Sequence, residues 1–165
     1  MEKVIFFYNQ VIYDGTIERK ENSMIKLYNN TLKYILLFFI GGYAYCGIEI
    51  LFRGFSHISM LVAGGLSFVL IGLLNENFNH KMSLVSQMAI SACIITAVEF
   101  TVGLVVNVWL DLKVWDYSNM PYNFMGQICL LYVNIWFFLS LASILMDDYL
   151  RYFLLGEEKP HYKIF

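Results

Sequence analysis

Residues 83–110 read SLVSQMAISACIITAVEFTVGLVVNVWL, and Glu99 is the one charged side chain among them. About 20 apolar residues suffice to cross a bilayer as a helix, so this run is long enough to span with tilt. Ala92, Thr96, Glu99, Gly103 and Asn107 follow one another at steps of four, three, four and four, which places them on one helical face. Ile94, Ile95, Val98, Val102 and Val105 fall outside that small, polar stripe. A carboxylate is costly in lipid, so the stripe is expected to face the interior of a helix bundle. Glu99 is expected either to be held structurally, protonated or paired with Arg53 or an amide such as Asn107 or Asn134, or to handle protons, ions or substrate.

Three further apolar blocks flank this one, at residues 31–52, 58–74 and 124–146. Gly41, Gly42, Ala44, Cys46 and Gly47 make the first small-sided, and Gly64, Gly65, Ser67 and Gly72 do the same for the second. Such faces let helices approach closely. Asn123 is the expected N-cap of the fourth block, and the repeat of Gln127, Asn134 and Leu141 at seven residues predicts an amide-bearing face on it. Hydrophobic residues make up 59% of the chain and charged residues 15%, an excess concentrated in these blocks. The expected fold is therefore all-α: a polytopic membrane protein with four transmembrane helices in one bundle over residues 31–146. Residues 1–30 form an N-terminal amphipathic segment at the interface, with no cleavable apolar core, and 147–165 a charged tail whose helix breaks near Gly156 and Pro160.

Four spans put the N-terminal segment, the turn at 75–82 and the tail on one side. That side carries Lys3, Arg19, Lys20, Lys26, Lys33, Lys81, Arg151, Lys159 and Lys163, against Arg53 and Lys113 on the other. The imbalance predicts cytoplasmic termini in the cell membrane, with the Trp115–Asn123 loop outside. Glu49, Arg53 and His57 stack at i, i+4 and i+8 if the first helix continues, either as a plain Glu49–Arg53 pair or as a metal or proton site built on Glu49 and His57. Together with Glu99, Asn107, Trp115, Asp116, Ser118, Gln127 and Asn134, they form the expected outward-facing polar cluster, closed by the loop. Trp115, Tyr117 and Tyr122 also suit an interfacial aromatic belt.

The chain has three cysteines and three histidines, spread without ligand spacing, so no disulfide framework, metal site or cofactor is expected. No nucleotide-binding Gly-x-x-x-x-Gly-Lys loop, Gly-x-Ser-x-Gly or His-Glu-x-x-His sequence occurs, and the expectation is a protein that is not an enzyme, with no catalytic residue. No basic stripe for nucleic acid is present.

Gly47–Gly54 (GIEILFRG), Ser56–Met60 (SHISM), Gly64–Phe68 (GGLSF), Glu99–Gly103 (EFTVG), Val114–Ser118 (VWDYS), Pro121–Asn123 (PYN) and Gly126–Leu130 (GQICL) form one familiar series. Over about Ile40 to Tyr162 it resembles the family described as Putative ABC-transporter type IV, the CmpB-like small membrane proteins of bacteria and phages. The chain lacks a Gly/Pro-rich stretch that larger relatives place after the first span. The resemblance implies a transport-associated permease subunit and brings no substrate or residue roles with it. Four spans are few for a transport path, so the expected partners, besides the lipid bilayer, are further copies of the chain or a separate membrane or ATPase subunit. A small oligomeric scaffold, sensor or permeability effector encoded on mobile DNA is the non-transport alternative.

Overall fold

A computed structural model describes residues 30–78 and 82–164. The expected interfacial segment, apart from residue 30, and the turn residues 79–81 lie outside the described residues. Two compact units divide the chain, Met1–Ile35 and Leu36–Phe165. Of the first, residues 30–35 are described, and they are helical. The packing described below belongs to the second.

The described residues form four α-helices: α1 (Asn30–Arg53), α2 (Ile58–Phe78), α3 (Leu84–Gly103) and α4 (Leu130–Leu155). A π-helical turn, Leu104–Trp109, extends α3, and Asn123–Phe124 (β1) pairs antiparallel with Ile128–Cys129 (β2). Among the described residues, three helices are long and apolar enough to cross a membrane: α1, α3 with its π turn, and α4. The apolar part of α2, Ile58–Leu74, is shorter. Only 22–28% of the apolar windows of the three long helices is buried, so most of their greasy surface faces outward, as lipid contact requires. Leu51, Phe52, Trp109, Phe138 and Phe153 are among the large apolar side chains left exposed.

The helices meet as their small residues dictate. A Cβ on Gly42 would lie 2.6 Å from the Leu61 carbonyl oxygen of α2, and one on Gly65 would lie 2.6 Å from the Phe38 carbonyl oxygen of α1. The backbones of α1 and α2 are thus in direct contact. Ser83 caps α3, accepting from the Ser86 amide at 3.3 Å. Two apolar clusters fill the interior: Met60, Val106 and Trp115 form one, and Ile71, Met88 and Ile144 the other, with Tyr162 of the tail packed against the second.

Three expectations are corrected. The run 83–110 does not stay α-helical, because its last turn widens to a π-helix at Leu104. Residues 124–129, expected as the start of the fourth span, form the β-hairpin instead, and α4 begins at Leu130 with no side-chain cap. Asn123 therefore caps no helix. Its side chain serves the loop, donating to the carbonyls of Ser118 (3.2 Å) and Met120 (2.8 Å) and accepting from the Gly126 amide (3.1 Å). At its far end α4 runs to Leu155 and stops at Gly156, where a break was expected; its φ of 68° makes it a left-handed cap.

Candidate functional site

Glu99 sits where the stripe on α3 turns inward; Ala92, Glu99 and Gly103 are all buried. Its two carboxylate oxygens are held separately. Oε1 accepts from the Tyr117 hydroxyl at 3.0 Å, and Oε2 accepts from the Trp136 indole at 2.8 Å. Neither Arg53, Asn107 nor Asn134 is its partner, which corrects all three expected pairings. The donors come from the loop and from α4, so one buried side chain joins three parts of the chain. Aromatic rings extend the contact: Tyr117 stacks on Tyr132 at 4.5 Å, Tyr132 meets Trp136 at 5.8 Å, and Trp136 meets Tyr45 of α1 at 5.9 Å.

The loop above Glu99 is built from its own polar side chains. Asn107, on the π turn, accepts from the Val114 amide at 2.7 Å and donates to Gln127 Oε1 at 2.8 Å. The Trp115 indole, buried, donates to the Gln127 carbonyl at 2.9 Å. Asp116 Oδ1 accepts from both the amide and the hydroxyl of Ser118, an Asx turn at the loop surface. Those bonds from Ser118 hold the Asp116 carboxyl below its ordinary pKa. Gly126 lies under this turn with φ 67°, and a Cβ there would come 2.5 Å from Ser118 Oγ. The Tyr117 amide bonds the Gly126 carbonyl at 2.8 Å, which brings its ring over the bundle. Burial, then the nearby Glu99 carboxylate, raises the Tyr117 pKa, so the phenol stays protonated and donating. Trp115, Asp116, Tyr117, Ser118, Asn123, Gly126 and Gln127 thus make a lid and seat it on Glu99.

Glu49 and Arg53 pair at 3.2 Å on the last turn of α1, and Ser56 donates a second bond to Glu49. Arg53 also reaches the Val114 carbonyl at 3.4 Å, tying the end of α1 to the lid. The His57 ring contacts the hydroxyl (2.8 Å) and amide (3.2 Å) of Ser59 at the start of α2. Glu49 and His57 thus hold different partners, Arg53 and Ser56 for the first and Ser59 for the second. Asn134 also stands apart, exposed and bonded to its own helix at Leu130 O (2.7 Å). The amide face expected on the fourth span is absent as well, since Gln127 belongs to the hairpin turn.

Below the lid lies a cavity of about 150 Å³ between the four helices, with Tyr45, Glu99, Trp115 and Trp136 in its walls. It extends from Met60 to Ile71, eleven residues and about 16 Å along α2. Apart from Ser67 and Ser143, its walls beyond Glu99 are apolar.

A second buried polar group was assigned to the tail from the sequence. Arg151 donates to Asp147 Oδ2 at 2.6 Å and also pairs with Glu76 of α2. Asp147 and Arg151 press on Gly72, where a Cβ would lie 2.6 Å from each. Tyr162 donates to Asp148 at 2.9 Å, and the Lys163 carbonyl accepts from the Leu84 amide at 2.7 Å, so the tail folds back against the start of α3. Burial and then the Asp148 carboxylate raise the Tyr162 pKa. The i, i+4 spacing of Asp147 and Arg151 was the available signal for the pair.

The family model described as Putative ABC-transporter type IV matches residues 39–154, from α1 to the last turn of α4. No curated protein and no solved structure matches the chain.

Proposed function

The chain belongs to the Putative ABC-transporter type IV family, and on that premise we propose that it is the membrane-embedded subunit of a transport assembly, crossing the bilayer four times. The shorter α2 completes its crossing by local thinning of the bilayer around it. The distribution of Lys and Arg supports cytoplasmic termini in the cell membrane, with the lid on the outer side. One observation carries the reading: the single charged group of the α3 apolar run is buried against the lid, at the wall of a cavity inside the helices. A carboxylate in that position is retained at a cost in lipid and is available to solute passing the lid.

The chain has no nucleotide-binding loop, so energy would come from a separate ATPase, and four helices would build a path together with further subunits. Gentle extraction from the native membrane and native mass spectrometry test this. The expected particle holds additional copies or a nucleotide-hydrolysing subunit and exceeds the 19.2 kDa of one chain. A monomer without partners at every detergent concentration would contradict the proposal.

A further inference from the structure

We propose that the cavity beneath the lid binds a hydrophobic primary amine, with its ammonium group at Glu99 and its alkyl or aryl chain running toward Ile71 and Met146. This assignment names a ligand class for the site of the preceding subsection and rests on that reading. Three observations carry it. The first is asymmetry: the carboxylate, with Tyr45 and the two tryptophans, lies toward one end, and the lining toward Ile71 and Met146 carries no charge and is apolar apart from the hydroxyls of Ser67 and Ser143. A dry apolar cavity of this size takes up guests as large as benzene.

The second is the chemistry of Glu99. Its hydrogen-bond partners among the described residues are two neutral donors, one on each oxygen. A carboxylate accepts about four such bonds, so acceptor capacity remains on the group lining the cavity. A buried carboxylate is expensive without a cation, and an ammonium entering the cavity supplies one. Tyr45, Trp115 and Trp136 line the same cavity, and an aromatic ring whose face a cation can reach adds a second favourable contact. A carboxylate-headed amphiphile meets repulsion at the same place.

The third is access. Ala44 of α1 and Ala142 of α4 both line the cavity; Ala44 is half-buried and Ala142 exposed. Small side chains there leave a lateral opening toward lipid, from which an apolar amine can enter without lifting the lid.

The test uses the full chain in polymer-bounded native membrane discs, carrying Trp109→Phe. The chain has three tryptophans and Trp109 is 79% exposed, so this leaves the two cavity tryptophans as fluorescence reporters. n-Octylamine should give a saturable change, with octanoate binding about tenfold or more weakly. Glu99→Gln should weaken octylamine about tenfold and erase the preference over octanoate. Ala142→Phe, at the exposed mouth, should remove octylamine binding while circular dichroism stays unchanged; Ala44→Leu gives the same readout if the first variant fails to fold. Equal binding of octylamine and octanoate, or octylamine binding unaffected by Ala142→Phe and Ala44→Leu, overturns the assignment. A multi-subunit particle that binds no octylamine overturns it too, while leaving the transport-subunit reading in place. Site-specific octylamine binding by a solitary monomer supports the ligand site and removes that reading instead.

Discussion

Replacing Glu99 with Leu removes both acceptors at the junction of α3, the lid and α4 while nearly preserving side-chain volume. The Trp136 indole and the Tyr117 hydroxyl then lose their bonds of 2.8 and 3.0 Å at once. Indole can only donate, so Trp136 has no way to recover. A buried donor left without its partner costs about 1–3 kcal/mol, so the pair predicts a loss of about 2–4 kcal/mol once the added apolar contact of Leu is set against it. Tyr117→Phe alone removes one bond and should cost about 0.6–2 kcal/mol, the range for hydrogen bonds between membrane helices, and Trp136→Phe should cost more because it also shrinks a buried ring. Glu99→Gln should be milder than Glu99→Leu. Its carbonyl can face Trp136, and the Tyr117 hydroxyl can turn to accept from the new amide. The triple variant Glu99→Leu/Tyr117→Phe/Trp136→Phe should be more stable than Glu99→Leu, because removing both partners of a buried bond leaves nothing unsatisfied, while the smaller ring at the buried position 136 keeps it below the parent. Equilibrium unfolding in mixed micelles, followed by circular dichroism, measures each step. A triple variant no more stable than Glu99→Leu would refute the account of this junction.

Arg151→Met should destabilise by about 3–5 kcal/mol in the same assay, since it strands the 1%-exposed Asp147 carboxylate, and adding Asp147→Asn should recover part of the loss. Gly126→Ala should cost about 1 kcal/mol or more and loosen the lid, read as faster amide exchange at Tyr117, because its φ of 67° disfavours any Cβ. The raised pKa values of Tyr117 and Tyr162 predict alkaline sensitivity. Both folded pKa values exceed the unfolded value of about 10, so their contribution is complete below that pH and is lost as pH rises beyond it. The part of the tyrosinate absorbance change that accompanies loss of the lid should therefore shrink in Tyr117→Phe.

The helices were legible because lipid-length apolar runs need no distant partner to identify them, and the inward turn of Ala92, Glu99 and Gly103 followed from period alone. The partners of Glu99 were not legible. Tyr117 and Trp136 lie 18 and 37 residues away in the chain, and an indole or phenol signals no pairing with a carboxylate as Arg does. Asn123 misled for a different reason: the side chain that caps helices equally closes turns, and nothing local chooses between them. Asp147 and Arg151 were read as tail because charge near the end of an apolar block ordinarily marks the exit from the membrane. Their burial against Gly72 and Glu76 depends on a helix 75 residues away from Arg151 in the chain, which no local pattern signals.

Sidedness tests the central claim most directly, because the short α2 must cross for the lid and the end of α1 to share a surface. Single cysteines at Phe55, Asn119 and Lys159, placed in a background with Cys46, Cys93 and Cys129 replaced by Ala, can be labelled in intact cells with a membrane-impermeant maleimide. Labelling at 55 and 119 from outside, with 159 reacting only after permeabilisation, is the predicted result. Labelling of 55 and 119 from opposite sides would show that α2 does not cross and would contradict the account.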